Sequence, residues 1–483
     1  MIDAAIKRTV SQLFRVTGLA LCAASLSSCA TIYDAPINLP LATAEAARFD
    51  ATGTIPTNGK DLLIGLAFSG GGSRAAAFSY GVLLGFDRTS TGRGVLLLDS
   101  VHYISGVSGG AITAAYFGLK GRSSFSDFRE RFLLRNAEES LSTPFTPIGL
   151  IRAYQGGTND ASQFTQWLDQ NLFQGATFKQ LDTPNHPHIL INASDIYNRT
   201  PFVFNETTFK AICSDLNSYP IANAVAASAA MPLIFAPMVL TSYADRCRTA
   251  PPKWVAEAQN NPAASPLLKA SAEAIVRYRN GSEPFIKLLD GGLVDYYGLS
   301  GFTISRLSAD TAYEPLTSRQ AVKIRRVLFL AVDAGTGLSG DWVQSVEGPT
   351  APELLMAAAN TSTDSSARLS FTAFDRIISD WREALVHWRC GLSQGERQAY
   401  GLVDRWDCRD LKLFVGHLEF DQLGAQRSSD LKSIPPRFRL SPDQVDMLAS
   451  AGQDALRTNS TFRAFLSSLD WRTFSAASAT VKP

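Results

Sequence analysis

The sequence predicts an α/β fold, a three-layer α/β/α sandwich around a central, mainly parallel sheet. Three observations predict it: short continuous apolar runs, glycine-rich turns directly after two of these runs, and helical stretches between them. Of the 483 residues, 45% are hydrophobic and 18% are charged, which is enough apolar material for one large core. No repeat, long charge run or low-complexity block divides the chain after residue 60, so we expect one large domain with insertions.

Two segments repeat the order of strand, glycine turn and helix. The first has an apolar run at residues 62–69, glycines at 70–72 and a helical stretch at 74–86. The second has its strand at 101–105, its turn at 106–110 and a small-residue helix at 111–119. Four further apolar runs read as buried strands in the rest of the chain: residues 188–193, 285–289, 327–332 and 413–420.

Two later segments have helical signals. Large apolar residues recur at spacings of three and four, which predicts one helical stripe packed on the core, with a lid or a bilayer-facing surface as the alternative: Phe371, Phe374, Ile378, Trp381, Leu385 and Trp388. Further on, Ser441, Pro442 and Asp443 have the chemistry of a helix start, and we expect this final helix to close the domain.

The amino terminus predicts export and lipid anchoring. Lys7, Arg8 and Arg15 accompany a short apolar stretch at 16–28, which is typical of a signal peptide and shorter than the roughly 20 residues that a membrane span needs. The end of the stretch, residues 26–29, resembles the lipobox of bacterial lipoproteins, which makes Cys29 the acylated anchor. An ordinary signal with a chance cysteine is the alternative. We expect a signal peptide at 1–28, a tether at 29–60 and a position in the bacterial cell envelope. Ala30 favours the outer membrane, facing the periplasm.

Export also predicts disulfides, because thiols in an oxidising compartment are usually paired. The remaining four cysteines allow three pairings, and we favour the two short loops, Cys213 with Cys247 and Cys390 with Cys408. A zinc site is the competing interpretation, but no C-x-x-C pair or histidine pattern supports it. We therefore expect no metal.

The candidate nucleophile is Ser108. Gly106 and Gly110 surround it in a G-x-S-x-G pattern, in which the serine lies on a strained turn between a strand and a helix and its neighbours must be small. The pattern alone is weak evidence in a chain with 35 glycines, so the flanking strand and helix carry the inference.

The turn after the first strand is a candidate oxyanion hole. Its backbone amides would point at an anion, with the dipole of the following helix behind them. The alternatives are a plain tight turn and a phosphate-binding loop, although the Gly-Lys-Ser/Thr ending of such a loop is absent. Arg74 would either support the loop or attract an anionic head group. The residues concerned are Gly70, Gly71, Gly72, Ser73 and Arg74.

The candidate base is a carboxylate rather than a histidine. None of the five histidines lies in a glycine-rich turn after a strand, whereas Asp290 follows an apolar strand and precedes Gly291 and Gly292. A partly buried carboxylate with raised basicity could accept the Ser108 proton directly. The alternative is a Ser-Asp-His triad completed by His387 or His417.

These blocks, in this order, resemble the patatin-like phospholipase family. A fourth block at 227–237, Ala-Ser-Ala-Ala-Met-Pro-Leu-Ile-Phe-Ala-Pro, is similar to the family's A-S-x-x-x-P-x-x-F-x-P segment. The resemblance implies the three-layer fold, a dyad of Ser108 and Asp290, an oxyanion hole at 70–74 and action on lipid acyl esters without a cofactor. The chain departs from the family at Ala75, at residues 295–298 and in an apparent insertion at 241–282.

The positions of the motifs predict the domain boundaries. We expect the hydrolase domain at 61–470, with its motif core at 61–300 and a helical completion at 301–470, followed by a tail at 471–483. The expected partners are a lipid or acyl-ester substrate and the membrane, reached through Cys29. The net charge of +1 gives no reason to expect nucleic acid. A non-catalytic lipoprotein that uses the same fold as a binding module is the alternative from another functional class.

Overall fold

The structure is a computed structural model. It describes residues 35–42, 61–90, 96–141, 157–183, 186–232, 234–247, 250–335, 341–344, 346–402 and 406–469. The predicted signal peptide, Cys29 and the predicted tail lie outside these ranges. In the part of the chain that is described, no helix is long and apolar enough to cross a bilayer.

One eight-stranded sheet organises the described residues, in the order β5-β6-β3-β2-β1-β7-β8, with β4 paired to β3. The strands β3, β2, β1, β7 and β8 run parallel, whereas β4, β5 and β6 join by antiparallel pairing. The prediction of a central, mainly parallel sheet is confirmed. The strands are β1 (Leu62–Phe68), β2 (Val101–Val107), β3 (His188–Asp195), β4 (Thr200–Phe204), β5 (Met238–Thr241), β6 (Phe285–Asp290), β7 (Arg326–Val332) and β8 (Lys412–Leu418).

Helices connect the strands. In chain order they are α1 (Gly72–Arg88), α2 (Gly109–Lys120), α3 (Ala161–Leu168), α4 (Phe178–Leu181), α5 (Glu206–Ala211), α6 (Ile221–Ser228), α7 (Lys253–Asn260), α8 (Pro266–Arg279), α9 (Ser300–Leu307), α10 (Ser318–Lys323), α11 (Ala351–Cys390), α12 (Gln394–Ala399), α13 (Ala425–Ser433), α14 (Pro442–Thr458) and α15 (Ser460–Ser468). Shorter 3₁₀ turns include Gly291–Leu293, Asp341–Gln344 and Phe420–Leu423.

The sheet has a separate apolar core on each face. In β1, Leu62, Ile64 and Phe68 belong to one core, and Leu63 and Ala67 belong to the other. This alternation follows from the two-residue period of a strand. Helices α1, α2 and α14 contribute to the first core, and α9, α10 and α11 contribute to the second. The continuous apolar runs of the sequence therefore mark strands that are covered on both faces.

Three expectations differ from the structure. The strands β4 and β5 are absent from the prediction, because both are short and the first residue of each lies next to a proline, Pro201 or Pro237. The predicted last strand ends at Leu418 rather than at residue 420, where a 3₁₀ turn begins. The helix after Ser441 has the expected cap but is not the last one, since α15 follows it.

The helical stripe predicted at 371–388 lies within α11, which has 40 residues. Phe374, Ile378, Trp381 and Leu385 are buried in the second core. The stripe therefore packs on the core rather than forming a lid. The helix itself begins much earlier, at Ala351, and its first turns are largely exposed.

The structure joins Cys213 to Cys247 and Cys390 to Cys408, the two pairings favoured from the sequence. The first disulfide joins Cys247, near the start of the apparent insertion at 241–282, to Cys213. Helices α7 and α8 of this insertion pack around a small apolar cluster, which includes Val255, Leu268 and Ile275 and also Ala211 of α5.

Part of the predicted tether, residues 35–42, is docked on the domain. The Asn38 side chain donates to the Thr241 carbonyl at 2.9 Å and accepts from the Thr241 amide at 2.8 Å. The Tyr243 hydroxyl donates to the Asn38 carbonyl, and the Leu41 amide donates to the Cys213 carbonyl. We call residues 35–42 the strap, because they cover the outer end of β5.

Candidate active site

The turn that holds Ser108 is strained and tightly packed. Ser108 caps α2 directly after β2, with φ 51° and ψ −121°, a conformation that residues other than glycine rarely adopt. A Cβ atom at Gly110 would lie 2.6 Å from the carbonyl oxygens of Phe68 and Ser69, so this position requires glycine. The structure thus gives the G-x-S-x-G pattern the geometry of a nucleophile turn.

Ser228, at the end of α6, holds this turn in place through hydrogen bonds. The Ser108 amide donates to the Ser228 Oγ at 2.8 Å, and the Ser228 hydroxyl donates to the Asn192 carbonyl at 2.6 Å. The two bonds link the turn to β3 through one buried hydroxyl. In the sequence, this serine stands out only as part of the block at 227–237, which indicates no role for it.

Strand pairing brings Ser108 and Asp290 to the same level of the sheet. Val107 of β2 pairs with Asn192 of β3, and the next residue of β3, Ala193, pairs with Asp290 of β6. Ser108 and Asp290 therefore emerge from strands that lie on either side of β3. The Ser108 hydroxyl is close enough to the Asp290 carboxylate to lower its pKa.

The Asp290 carboxylate is held in place at the end of β6. Its Oδ1 accepts from the Gly292 amide at 2.8 Å, which explains why the glycines follow the aspartate. The Asp290 amide donates to the Ala230 carbonyl at 2.8 Å, and the Ser194 hydroxyl donates to the Asp290 carbonyl at 2.8 Å. Backbone and side chain are both fixed, so the carboxylate is preorganised toward Ser108.

Burial raises the pKa of Asp290 to about 6, from an ordinary value of 3.8, because it disfavours the charged form. The hydrogen bonds from Gly292 and Ser108 lower the pKa and partly offset this effect. The resulting group is ionised at neutral pH and has a higher proton affinity than an exposed aspartate, which suits a general base.

The glycine loop between β1 and α1 lies against the nucleophile turn. Gly71 and Gly72 have φ values of +130° and +58°, which only glycine adopts without strain. A Cβ atom at Gly70 would lie 3.6 Å from the Ser108 Cβ, and one at Gly109 would collide with the Gly72 carbonyl. The loop and the turn therefore meet backbone to backbone.

The five residues expected to form the oxyanion hole have different roles. The Gly70 amide donates to the Tyr296 carbonyl at 3.3 Å, and the Ser73 amide donates to the Arg437 carbonyl at 2.8 Å. For the Gly71 and Gly72 amides no hydrogen-bond acceptor is found among the residues that the structure describes. These two amides are the ones free to face a developing negative charge.

Arg74 supports the loop from inside the protein. It is 1% exposed, and its Nη1 donates to the Ile434 carbonyl at 2.7 Å. Burial lowers its pKa, while Tyr296 and Asp333 nearby favour its charge. Of the two roles considered from the sequence, support of the loop fits this burial and attraction of a head group does not.

Tyr296 connects the glycine loop to the aspartate loop. Its hydroxyl donates to the Gly70 carbonyl at 3.2 Å, and its ring would lie 3.5 Å from a Cβ atom at Gly292. This residue belongs to the segment 295–298, where the chain departs from the family pattern. The residues that depart from the family pattern therefore form a wall beside Ser108 and Asp290.

The histidines considered for a triad lie elsewhere. The side-chain partner of Asp290, apart from Ser108, is the Gly292 amide, so no histidine is among the described contacts of this carboxylate. His417 lies at the end of β8 with its Nε2 3.4 Å from Asp333 and its Nδ1 3.5 Å from Glu419. The Tyr297 hydroxyl also contacts His417 Nε2, at 2.9 Å.

Asp333, His417 and Glu419 are close enough to be considered as metal ligands. Asp333 lies nearest to Nε2 of the imidazole ring and Glu419 lies nearest to Nδ1. Burial lowers the pKa of His417, but the two carboxylates outweigh it and the pKa is raised. The two carboxylates thus favour the protonated form of this ring.

The family model of the patatin-like phospholipases matches residues 66–299, a range that begins in β1 and ends nine residues after Asp290. Residues 66–299 form a patatin-like phospholipase domain. Ser108, Asp290 and the glycine loop all lie inside this patatin-like domain. The family is named for phospholipase activity.

A solved structure similar to this chain is human GIVD cytosolic phospholipase A2. The two share 13% sequence identity with a TM-score of 0.39, and the match covers 88% of this chain and 62% of that chain. The patatin-like protein described here thus spans less than two thirds of that phospholipase. No curated protein sequence matches the chain.

Proposed function

We propose that the protein is a serine-dependent lipid acyl-ester hydrolase of the phospholipase or lysophospholipase type, with Ser108 as nucleophile and Asp290 as base. The observation that carries the proposal is the strand register that brings Ser108 and Asp290 to the same level on either side of β3. The Asp290 carboxylate there has a pKa raised to about 6, which the nearby Ser108 hydroxyl affects. The free Gly71 and Gly72 amides beside Ser108 support it, because acyl transfer needs donors for the oxyanion.

The first half of the reaction forms an acyl-enzyme. The Ser108 oxygen attacks the ester carbonyl carbon while Asp290 takes the hydroxyl proton. Negative charge develops on the former carbonyl oxygen and is stabilised by the Gly71 and Gly72 amides. When the carbon–oxygen bond to the leaving alcohol breaks, Asp290 returns the proton to that alcohol. The acyl group stays on Ser108.

The second half restores the enzyme. A water molecule gives a proton to Asp290 and attacks the acyl carbon. The bond to the Ser108 oxygen then breaks, and Asp290 returns the proton to that oxygen. The products of the complete cycle are the free acid and the alcohol. One carboxylate thus alternates between base and acid, so the mechanism requires no histidine.

The direct test is mass spectrometry of the products that defined glycerophospholipids yield with the wild type, Ser108→Ala and Asp290→Asn. We expect fatty acid release by the wild type and a loss of at least about a thousandfold in both variants. A fluorophosphonate probe should label the wild type but not Ser108→Ala. Equal labelling of both would remove Ser108 from the mechanism.

Histidine variants separate the dyad from a triad. Single replacements of His387 and His417 by Gln should keep turnover within a few-fold of wild type, because neither ring reaches Asp290 in the described contacts. His186, which contacts the Gly118 carbonyl at 2.8 Å, serves as the control. A collapse of activity in His387→Gln or His417→Gln with an intact fold would favour the triad.

We also propose that the enzyme is a lipoprotein of the bacterial outer membrane, acylated at Cys29 and facing the periplasm. The lipobox-like residues 26–29 and the two disulfides support export. Intact-mass measurement of the membrane-extracted protein should show lipid mass on Cys29, and cell fractionation should place the protein in the outer membrane. A mature species without lipid would contradict the anchor.

A further inference from the structure

The first turns of α11 project from the domain as an exposed apolar helix. We call residues 351–361 the apolar arm. Leu354 and Leu355 are 57% and 51% exposed there. The side-chain hydrogen bonds recorded for the arm stay within its own first turns, from Thr350 to Glu353 and from Thr361 to the Ala357 carbonyl. Much of the surface of the arm is therefore exposed to solvent.

The base of the arm touches the catalytic loop. The Ser362 hydroxyl donates to the Leu293 carbonyl at 2.9 Å, and a Cβ atom at Gly292 would lie 3.7 Å from the Thr363 methyl group. At its other end, α11 contacts the start of β7, where Arg389 donates to the Ile324 carbonyl. The helix thus runs antiparallel to β7, and its amino terminus points past the end of the sheet at which Ser108 emerges.

The length of the projection follows from helix geometry. Eleven residues of α-helix at about 1.5 Å each extend roughly 16 Å beyond the contact with Gly292. The apolar arm therefore extends away from its contact with the aspartate loop, and Leu354 and Leu355 lie on its exposed side.

The composition of the arm does not suit water. Residues 354–363 read Leu-Leu-Met-Ala-Ala-Ala-Asn-Thr-Ser-Thr, ten consecutive residues without a charge in an exposed helix. Exposed helices usually carry charged side chains on their outer face, and an exposed apolar face marks a docking surface. Three large apolar side chains that precede the arm are also exposed: Trp342, Val343 and Val346.

A second group of exposed apolar residues lies beyond the same end of the sheet. Ile196 and Tyr197 are exposed and directly follow β3, beyond the residue that pairs with Val107. Phe285 is also exposed and pairs with Thr241 at the end of β5. The strap adds Ile37 and Leu39, which are 43% and 56% exposed. Two apolar patches thus mark the end of the sheet where the dyad opens, as expected of a face that meets lipid.

We propose that the apolar arm inserts into the surface of a lipid bilayer and holds the catalytic end of the sheet against it. The inference rests on the proposed function, because the ester substrate of a lipid acyl hydrolase lies in that surface. The arm would place its leucines among the acyl chains, as interfacial amphipathic helices do. Its base contacts the aspartate loop, so insertion positions the dyad at the lipid head groups.

The test uses the chain from residue 30 onward, which keeps every described residue but lacks the acylated cysteine. Binding is measured by sedimentation with vesicles of phosphatidylethanolamine and phosphatidylglycerol, in a Ser108→Ala background that prevents turnover. The test variant carries Leu354→Glu and Leu355→Glu. The matched control is Met447→Glu, which replaces a side chain that is 41% exposed on α14.

We expect the double variant to bind vesicles at least about tenfold more weakly, and the control to bind like the parent protein. With Ser108 restored, the double variant should lose a similar factor of activity on vesicles and keep its activity on a short-chain, monomeric ester. That ester also isolates the proposed function: if the parent does not hydrolyse it, the dyad proposal fails, whereas the vesicle binding still tests the arm.

Three results would overturn the proposal. They are parent protein that does not bind vesicles, a double variant that binds as well as the control, and a double variant that loses activity on the monomeric ester. A change of oligomeric state between parent and double variant in sedimentation velocity would assign the arm to a second copy of the chain instead.

A fluorescent reporter gives an independent measurement. The four cysteines that remain after residue 29 are paired, so Leu355→Cys provides a single free thiol for an environment-sensitive dye. Vesicles should shift the emission of this dye to the blue, as on transfer to an apolar medium, and should leave a dye at Met447→Cys unchanged. Equal shifts at both positions, or none at Leu355→Cys, would contradict insertion.

Discussion

At the residue scale, the chemistry depends on an aspartate whose environment opposes its charge. Burial raises the pKa of Asp290, while Gly292 and Ser108 donate hydrogen bonds that favour the ionised form. The balance leaves a carboxylate with a pKa of about 6. A general base needs a pKa of this kind, because a fully exposed aspartate binds protons too weakly and a protonated aspartate cannot accept them.

The first prediction concerns pH. Asp290 must be ionised to accept the Ser108 proton, so kcat/KM on a monomeric ester should fall as pH drops through about 6. The measurement is a pH–rate profile, with circular dichroism at each pH as the control for folding. An acid limb near pH 4, the value of an ordinary aspartate, would contradict the buried base.

The second prediction concerns stability. The folded state raises the pKa of Asp290, so it favours the protonated form, and stability from this group falls as pH rises from about 4 to about 6. Asp290→Asn removes the charge. We expect it to raise the free energy of unfolding by about 1–3 kcal/mol near pH 8 and to change it little near pH 4. Urea unfolding of both proteins at the two pH values measures this; equal effects at both would refute it.

The third prediction concerns Ser228, which positions the nucleophile without touching substrate. Ser228→Ala leaves the Ser108 amide without its acceptor, so we expect kcat to fall about tenfold or more while KM stays near wild type. Ser242→Ala is the matched control, since Ser242 is also buried and bonds a carbonyl, that of Tyr278, away from the dyad. A rise in KM alone would argue against a positioning role.

At the scale of elements, the site depends on two helix starts that meet backbone to backbone. The Gly72 carbonyl at the start of α1 lies against Gly109 at the start of α2. This contact sets the distance between the proposed oxyanion donors and Ser108. Two strand–glycine–helix units that look alike in the sequence therefore supply different halves of one site.

The fourth prediction tests this contact. Gly109→Ala would push the Gly72 carbonyl away, so we expect a loss of at least about a hundredfold in kcat/KM and a destabilisation of roughly 1–3 kcal/mol. Gly395→Ala in α12 is the control, because a Cβ atom there meets nothing within 4 Å. Activity and urea unfolding are measured for both. Wild-type turnover in Gly109→Ala would show that the glycine loop can move away from Gly109 without loss of activity.

At the scale of the whole molecule, the strap links the expected membrane anchor to the domain. Cys29 lies six residues before Ala35, where the described chain begins, so the strap limits how far the domain can move from an anchored amino terminus. Asn38 holds the strap through both backbone groups of Thr241. The antiparallel extension formed by β5 and β6 is thus also an attachment point.

The fifth prediction is that Asn38→Ala releases the strap. It removes side-chain bonds to Thr241 and to Ser214, so amide exchange at residues 39–42 should become at least about tenfold faster while the core strands stay protected. Hydrogen exchange with mass spectrometry measures this. The control is Asn280→Ala, whose side chain bonds only the nearby Ser282 amide. Unchanged exchange in Asn38→Ala would mean that the strap is held by other contacts.

The sequence by itself determined the strands covered on both faces and singled out the two residues of the proposed dyad. A buried strand must be a continuous apolar run, and the turns around Ser108 and after Asp290 demand glycine, so both leave local signals. The disulfide pairings followed in the same way from short loops. These features depend on neighbours in the chain, which the sequence shows directly.

Only the tertiary structure decided the features made by distant segments. The pairing of β2 and β6 with β3 places Ser108 beside Asp290. The same packing brings Ser228 to the Ser108 amide and Tyr296 to the Gly70 carbonyl. The sequence also could not show that α11 begins twenty residues before its buried stripe and projects from the domain, because an exposed apolar helix has the same composition as a buried one. Burial is a property of the assembled fold rather than of a segment.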